Sequence, residues 1–256
     1  MKGSGLSRAR LRQECRRQID LARKSMLPDS RTFQIRESGK SEQLTVVREG
    51  VGPLQTDWGV FTMYSFRLND QWGKYSALVR AAEVDDDFAP RFSSPDGLLV
   101  RIDSGCETGQ VFQDLTCECR DQLHKAMEAL AQFGEGVIVN IPAQDGRGLG
   151  LPFKLATLRL QDELDHDTVE AAALLELDGA RDTRTYSGAI AVLRALQILP
   201  GTVIRLATNN PKKTAVFTEN GYAFEYHPIV VEPTVHTTRH LAAKQAHLGH
   251  IGLVVN

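Results

Sequence analysis

Three of the four cysteines in this chain fall in one stretch, CETGQVFQDLTCEC, as Cys106, Cys117 and Cys119. Thiolates are soft ligands, and C-x10-C-x-C can supply three corners of a tetrahedral zinc site. Cys117 and Cys119 are too close in sequence for an unstrained disulfide with each other. A zinc ion with three protein ligands keeps a corner open for water, which is the arrangement of a catalytic site. His124, five residues beyond Cys119, is a candidate fourth ligand. Three buried thiols packed as small apolar side chains are the metal-free alternative.

Two other stretches suit an anion. In QDGRGLGL, Arg147 stands among Gly146, Gly148 and Gly150, which either let backbone amides approach an anion or simply make a tight turn. TNNPKK follows an expected strand and opens a helix at Pro211, so its amides and Lys213 face the positive end of that helix. Capping by Thr208 or Asn209 is compatible with that role. Asp182 and Arg184, in DTRTY, would by default be a surface ion pair of little energetic weight.

The elements that must position these residues follow from composition and periodicity. The chain has 256 residues, 42% hydrophobic and 24% charged, with 30 Lys and Arg against 32 Asp and Glu. It can bury a full core, and its balanced charge argues for neither nucleic acid nor an anionic membrane as partner. No apolar run is long enough to span a bilayer. The N-terminus lacks the apolar segment of an export signal, so a reducing, cytoplasmic setting is expected, where thiols bind metal more often than they pair. Residues 1–53 read as a basic helical arm and linker: Leu11, Cys15, Ile19, Ala22 and Met26 form an apolar stripe at helical spacing, and 27–53 read as loops with short strands. That helix is expected to pack on its own domain or on a partner subunit. From Trp58 the strands GVFTMYSFRL and YSALVRAA suit an antiparallel meander. Beyond the cysteines, helices at 121–133, 153–164, 169–177, 186–198 and 239–248 alternate with the strands GVIVNI, TVIRLAT and AFEYHPIVV. The expectation is a mixed α/β core with an antiparallel lead-in, carried by residues 54–256.

The phrases VRIDSGCETGQVFQDLTCECRDQL, AQDGRGLGL, DTVEA, DTRTY, ATNNPKK and KQAHLGH occur in that order. Together they resemble the GTP cyclohydrolase II family, which opens the guanine ring of GTP, and the likeness covers roughly residues 54–251. The resemblance implies a zinc ion on Cys106, Cys117 and Cys119, and magnesium on the triphosphate. It implies GTP contacts from Arg101, Gln122, Asp145, Arg147, Thr168, Thr208 and Lys213. It makes Asp182 the acid–base residue and Arg184 the nucleophile toward the α-phosphate, expelling pyrophosphate, in a homodimer. A nucleophilic arginine is chemically demanding, because its side-chain pKa is about 12.5 or higher.

The sequence departs from the family at places that matter. Asp103 stands for a histidine and Gly105 for a glutamate beside the metal, and Asp145 is one methylene shorter than the family residue. Leu158 stands where the family has a tyrosine near the ring-opening chemistry, and leucine neither donates nor accepts a hydrogen bond. The expectation is therefore a protein that opens the GTP ring but stops at the formamido product. A ring-opening hydrolase acting on another nucleotide, and a non-catalytic zinc and GTP sensor, are the other readings the sequence leaves open.

Overall fold

The computed structural model describes residues 8–69, 74–94, 96–175, 182–208 and 210–238. Its centre is an eight-stranded sheet. The strands are β1 (Asp29–Glu37), β2 (Lys40–Thr56), β3 (Gly59–Leu68), β4 (Lys74–Arg80), β7 (Leu98–Ser104), β8 (Gly136–Ile141), β9 (Val203–Leu206) and β10 (Ala223–Tyr226). A separate two-stranded ribbon pairs β5 (Glu83–Val84) with β6 (Pro90–Arg91). The sheet order is β1-β2-β3-β4-β8-β7-β9-β10. The first four strands form an antiparallel meander, of which only β3 and β4 were expected, whereas β8, β7, β9 and β10 run parallel.

The central parallel strands, β7 and β8, are buried on both faces. Leu98, Val100 and Ile102 of β7, with Val137 and Val139 of β8, face a core shared with helix α5 (Ser187–Ala195), which is buried from Ser187 to Leu193. Leu99 and Ile138 face the other way, onto Ala126, Met127 and Leu130 of α2 (Cys119–Phe133). This alternation is what period-2 side-chain geometry demands of a strand between two helical layers. Helix α2 ends where expected, at Gly134, whose φ of 97° suits only glycine and whose amide donates to the Leu130 carbonyl. The remaining helices are α1 (Arg8–Lys24), α3 (Leu151–Leu164), α4 (Thr168–Leu175) and α6 (Pro211–Glu219).

Two readings of the N-terminal region need correction. Residues 27–53 are not loops: they form β1 and most of β2, two long strands of the main sheet, and β2 runs through the expected division between residues 53 and 54. Ser38 (φ 53°) and Gly39 (φ 74°) make the tight two-residue hairpin turn between them. Gly50 lies at a break in the β2–β3 register rather than at the end of a strand. The apolar stripe of α1 is not covered by the described residues, for Leu11 and Ile19 are about half exposed. The end of α1 is tied by Lys24, which donates to the Asp87 carboxylate at 2.8 Å and the Asp86 carbonyl at 2.6 Å. The helix expected at 239–248, with His240, His247 and His250, lies outside the described residues. Among the described residues no helix is long and apolar enough to cross a membrane.

Candidate active site

Strands β7 and β9 are neighbours, and the chain continues from β7 to β8 on one side but from β9 to β10 on the other. In open α/β sheets a crevice forms at that reversal, beyond the carboxyl ends of the strands. Here β7 runs into Cys106, β8 into Asp145 and β9 into Thr208, and all three residues line one solvent-open cavity.

The cavity holds the three expected thiols. Cys106 and Cys117 are buried with their sulfurs 3.6 Å apart, and all three sulfurs lie within 4.8 Å of one another. Thiolates around a tetrahedral zinc ion, with bonds near 2.3 Å, sit about 3.8 Å apart, so the set fits that metal. Their packing leaves no room to spare: a Cβ on Gly109 would meet the Cys117 sulfur at 2.7 Å and the Cys119 Cβ at 3.3 Å. Hydrogen bonding from Cys117 and Cys119, opposed by burial, concentrates the first negative charge on Cys106 and lowers its pKa. The same bond to Cys106 holds Cys117 up at about 11, and its bonds to Cys106 and Cys117 keep Cys119 high as well. A divalent cation would relieve this competition for one negative charge. His124 is not part of the group: it is exposed, and its ring lies 5.0 Å from that of Trp58.

Basic and amide groups surround the thiols. Arg101, on β7, is 5% exposed and donates to Asp103 Oδ1 at 3.2 Å, Gln122 Oε1 at 3.3 Å and the Ala207 carbonyl at 3.5 Å. Its Nε and the Gln144 Oε1 are buried in the cavity wall without a partner among the described residues. Asp103, at the family's histidine position, also accepts from Gln110 at 2.6 Å and Asn140 at 2.9 Å. Gln110 in turn accepts from the Cys106 amide at 3.2 Å, so one carboxylate ties Arg101 to the metal loop. Gly105 cannot carry the family's glutamate without moving, because its Cβ would meet the Ile141 carbonyl oxygen at 2.6 Å. Asp145 accepts from the Glu107 amide at 2.9 Å, and burial, followed by the Cys106 charge, raises its pKa.

The glycine-rich stretch is a tight turn, one of the two readings its sequence offered, and it also holds a second segment in place. Gly148 packs against the Asp182–Arg184 segment, where a Cβ would meet Thr183 Oγ1 at 2.8 Å and the Arg184 amide at 2.9 Å. Arg147, itself left-handed at φ 61°, accepts from the Thr183 amide at 3.0 Å and donates from its guanidinium to the Thr168 carbonyl at 2.9 Å. The turn therefore clamps the two segments together, and Arg147 and Thr168 both face the cavity.

Asp182 and Arg184 form a two-pronged pair, Nε to Oδ1 at 2.8 Å and Nη2 to Oδ2 at 2.7 Å, with side chains 13% and 16% exposed. Lys212 approaches the same carboxylate at 3.4 Å. Burial alone would raise the Asp182 carboxyl, but the Arg184 bonds pull it down to about 2. Burial would lower the pKa of Arg184, and the Asp182 carboxylate reverses that and raises it. The pair is thus neither exposed nor weak, and it favours a protonated arginine. Lys213 is buried, donates to the Ile102 carbonyl at 2.7 Å and lies 5.5 Å from the Tyr186 ring centroid. Burial, then the neighbouring Arg101 and Arg184 charges, lowers it to about 7.

Some cavity residues escaped the sequence reading. Asn210, rather than Thr208, caps α6 by accepting from the Lys212 amide at 2.9 Å; the other expected capping residue, Asn209, lies outside the described residues. Lys154 and Thr157 also line the cavity, buried one turn apart on α3. Their spacing of three was the available signal, but it is shared by any helix face. Leu158 is half-buried beside them.

The comparisons agree with this geometry. The family described as GTP cyclohydrolase II matches residues 48–225. The monofunctional riboflavin biosynthesis protein RIBA 3, chloroplastic, of Arabidopsis thaliana is 35% identical over 87% of this chain and 41% of its own length. The riboflavin biosynthesis protein RibBA of Aquifex aeolicus is 35% identical over 77% and 45%. GTP cyclohydrolase-2 of Archaeoglobus fulgidus is 40% identical over 60% and 39%. The matches thus span under half the length of these relatives. With the family matched over residues 48–225, and its thiols, its cations and the Asp182–Arg184 pair gathered at one reversal of the sheet, the chain belongs to the GTP cyclohydrolase II family.

Proposed function

We propose that the chain is a zinc-dependent hydrolase that opens the imidazole ring of GTP and releases pyrophosphate. The observation that carries the reading is the meeting, in one cavity, of three thiols spaced for zinc with Arg101, Arg184 and Lys213. A zinc ion on Cys106, Cys117 and Cys119 would supply a Lewis acid that lowers the pKa of water to about 7. Arg101, Arg147 and Lys213 suit a triphosphate, since charge-assisted hydrogen bonds are about twice as strong as neutral ones. Arg101 Nε and Gln144 Oε1 are an unmatched donor and acceptor that a bound nucleotide can satisfy.

In this reading a water adds its oxygen to the α-phosphorus as the bond to the bridging β-phosphate oxygen breaks and pyrophosphate leaves, the water's proton passing to solvent, while Arg184, kept protonated by Asp182, steadies the negative charge on the α-phosphoryl oxygens. The covalent arginine role implied by the family would require Asp182 to take the guanidinium proton first. Ring opening adds the oxygen of one water to C8 and breaks the C8–N9 bond, with a proton passing to N9. A second water would break the C8–N7 bond and release formate. Leu158 offers that second step no hydroxyl, so the reaction ends at the formamidopyrimidine. Magnesium on the triphosphate, a homodimer and a cytoplasmic setting complete the reading as family expectations.

The test is to incubate zinc-loaded protein with GTP and magnesium and to measure pyrophosphate, formate and product mass. Pyrophosphate and a formamido product, with little formate, are expected, and Cys119→Ser should lose ring opening. Formate equal to pyrophosphate would reject the early stop. No turnover above the Cys119→Ser control would reject the enzyme.

A further inference from the structure

Helix α5 begins immediately after the Asp182–Arg184 pair, and its first turn has nothing of its own to satisfy it. Tyr186 sits at the N-cap and makes no side-chain capping bond. The helix is buried, so water cannot replace the missing acceptor, and an unpaired buried amide costs about 1–3 kcal/mol. The acceptor comes from 149 residues upstream. Glu37, the last residue of β1, takes the Tyr186 amide on both carboxylate oxygens, at 2.9 and 3.0 Å, and the Ser187 amide at 2.9 Å. Its negative charge also stands at the positive end of the helix, where it is stabilising.

The hairpin that presents Glu37 is latched to the neighbouring helix as well. Ser38 and Gly39 donate to the Glu219 carboxylate at 3.2 and 3.1 Å, and Asn220 exchanges two bonds with the backbone of Arg36, at 3.1 and 2.7 Å. Beyond its amide, Tyr186 extends under Lys213 and meets Asn210 through its hydroxyl at 3.4 Å. Glu37 thus holds the residue that joins the acid–base segment to the phosphate side of the cavity. Strand β1 lies wholly outside residues 48–225, the part matched by the family.

We propose that Glu37 is a positioning residue, and that the β1–β2 hairpin is a brace fixing Asp182 and Arg184 against the nucleotide. The proposal rests on the reading that this pair acts on GTP. It is tested with zinc-loaded Glu37→Ala and Glu37→Gln, measuring pyrophosphate release and hydrogen exchange of the segment 182–187. In Glu37→Ala, kcat should fall about 10- to 100-fold with KM held within about threefold, as expected of misplaced rather than missing groups. Exchange over 182–187 should quicken by about tenfold or more. Glu37→Gln, which keeps one acceptor oxygen, should fall between. A kcat within about twofold of wild type, or unchanged exchange, overturns the brace. If wild type releases no pyrophosphate, the functional reading fails, and the brace is decided by exchange alone: faster upholds it, unchanged overturns it. Should Glu37→Ala fail to fold, Glu37→Gln is judged by the same two criteria.

Discussion

Replacing Asp182 by Asn removes a charge while keeping the shape and one acceptor oxygen, so it isolates the ionic part of the pair with Arg184. The size of the effect follows from the carboxyl being held at about 2 against an ordinary 3.8. At about 1.4 kcal/mol per pH unit, the charged form contributes about 2 kcal/mol to the folded state at neutral pH. Both side chains are more than four-fifths buried, so solvent screening removes little of this. A loss of about 2 kcal/mol in a chain of this size lowers Tm by about 4–8 °C. The pKa is depressed on folding, so the contribution is complete above the unfolded value near 4 and disappears as pH falls toward about 2. The assay is thermal unfolding of metal-free wild type, Asp182→Asn, Arg184→Met and the double variant, between pH 7 and pH 3. Metal-free protein keeps acid release of zinc out of the comparison. The deficit of Asp182→Asn should be constant from pH 7 to about 5 and shrink below about 4. The double variant should be far less unstable than the sum of the single ones, giving a coupling of about 2 kcal/mol. Equal melting of wild type and Asp182→Asn at pH 7, or a deficit that ignores pH, would refute the reasoning.

Gly109→Ala places a methyl group against the Cys117 sulfur, and it should weaken zinc binding about tenfold or more in competition with a chelator, leaving the fold intact. Lys213, whose pKa burial and the neighbouring Arg101 and Arg184 charges lower to about 7, should take up a proton when a triphosphate binds. Nucleotide affinity should then be highest below about pH 7 and fall as pH rises through it, and calorimetry in buffers of different ionisation enthalpy will show the proton uptake. Lys213→Met should abolish both effects.

Legibility in the sequence tracked the range of the interactions concerned. GVFTMYSFRL alternates and is bounded by turns, and β3 has those bounds. The stop of α2 at Gly134 is a local cap, readable from one residue. The stretch 27–53 misled because glycine and proline were taken as the ends of strands. Gly39 is half of a hairpin turn, Gly50 marks a register shift, and Pro53 is accommodated in β2 opposite Thr62. The cysteines, Arg101, Lys213 and the Asp182–Arg184 pair were legible through resemblance, and the parallel strand ends explain why such distant segments meet. Glu37 was not legible, because its meaning lies in two amides 149 and 150 residues away. Nor was the clamping role of Gly148, which depends on what packs against it rather than on its own loop.

All three thiols fall between the end of β7 and the first residue of α2, so no distant parts of the chain are stapled by whatever they hold. Withdrawal of the ion should loosen that stretch and the Asp103–Gln110 tether attached to it, while the eight strands and their two helical layers keep their registry. The architecture thus separates the durability of the scaffold from the charging of its reaction centre, and the polypeptide can finish folding before metal arrives.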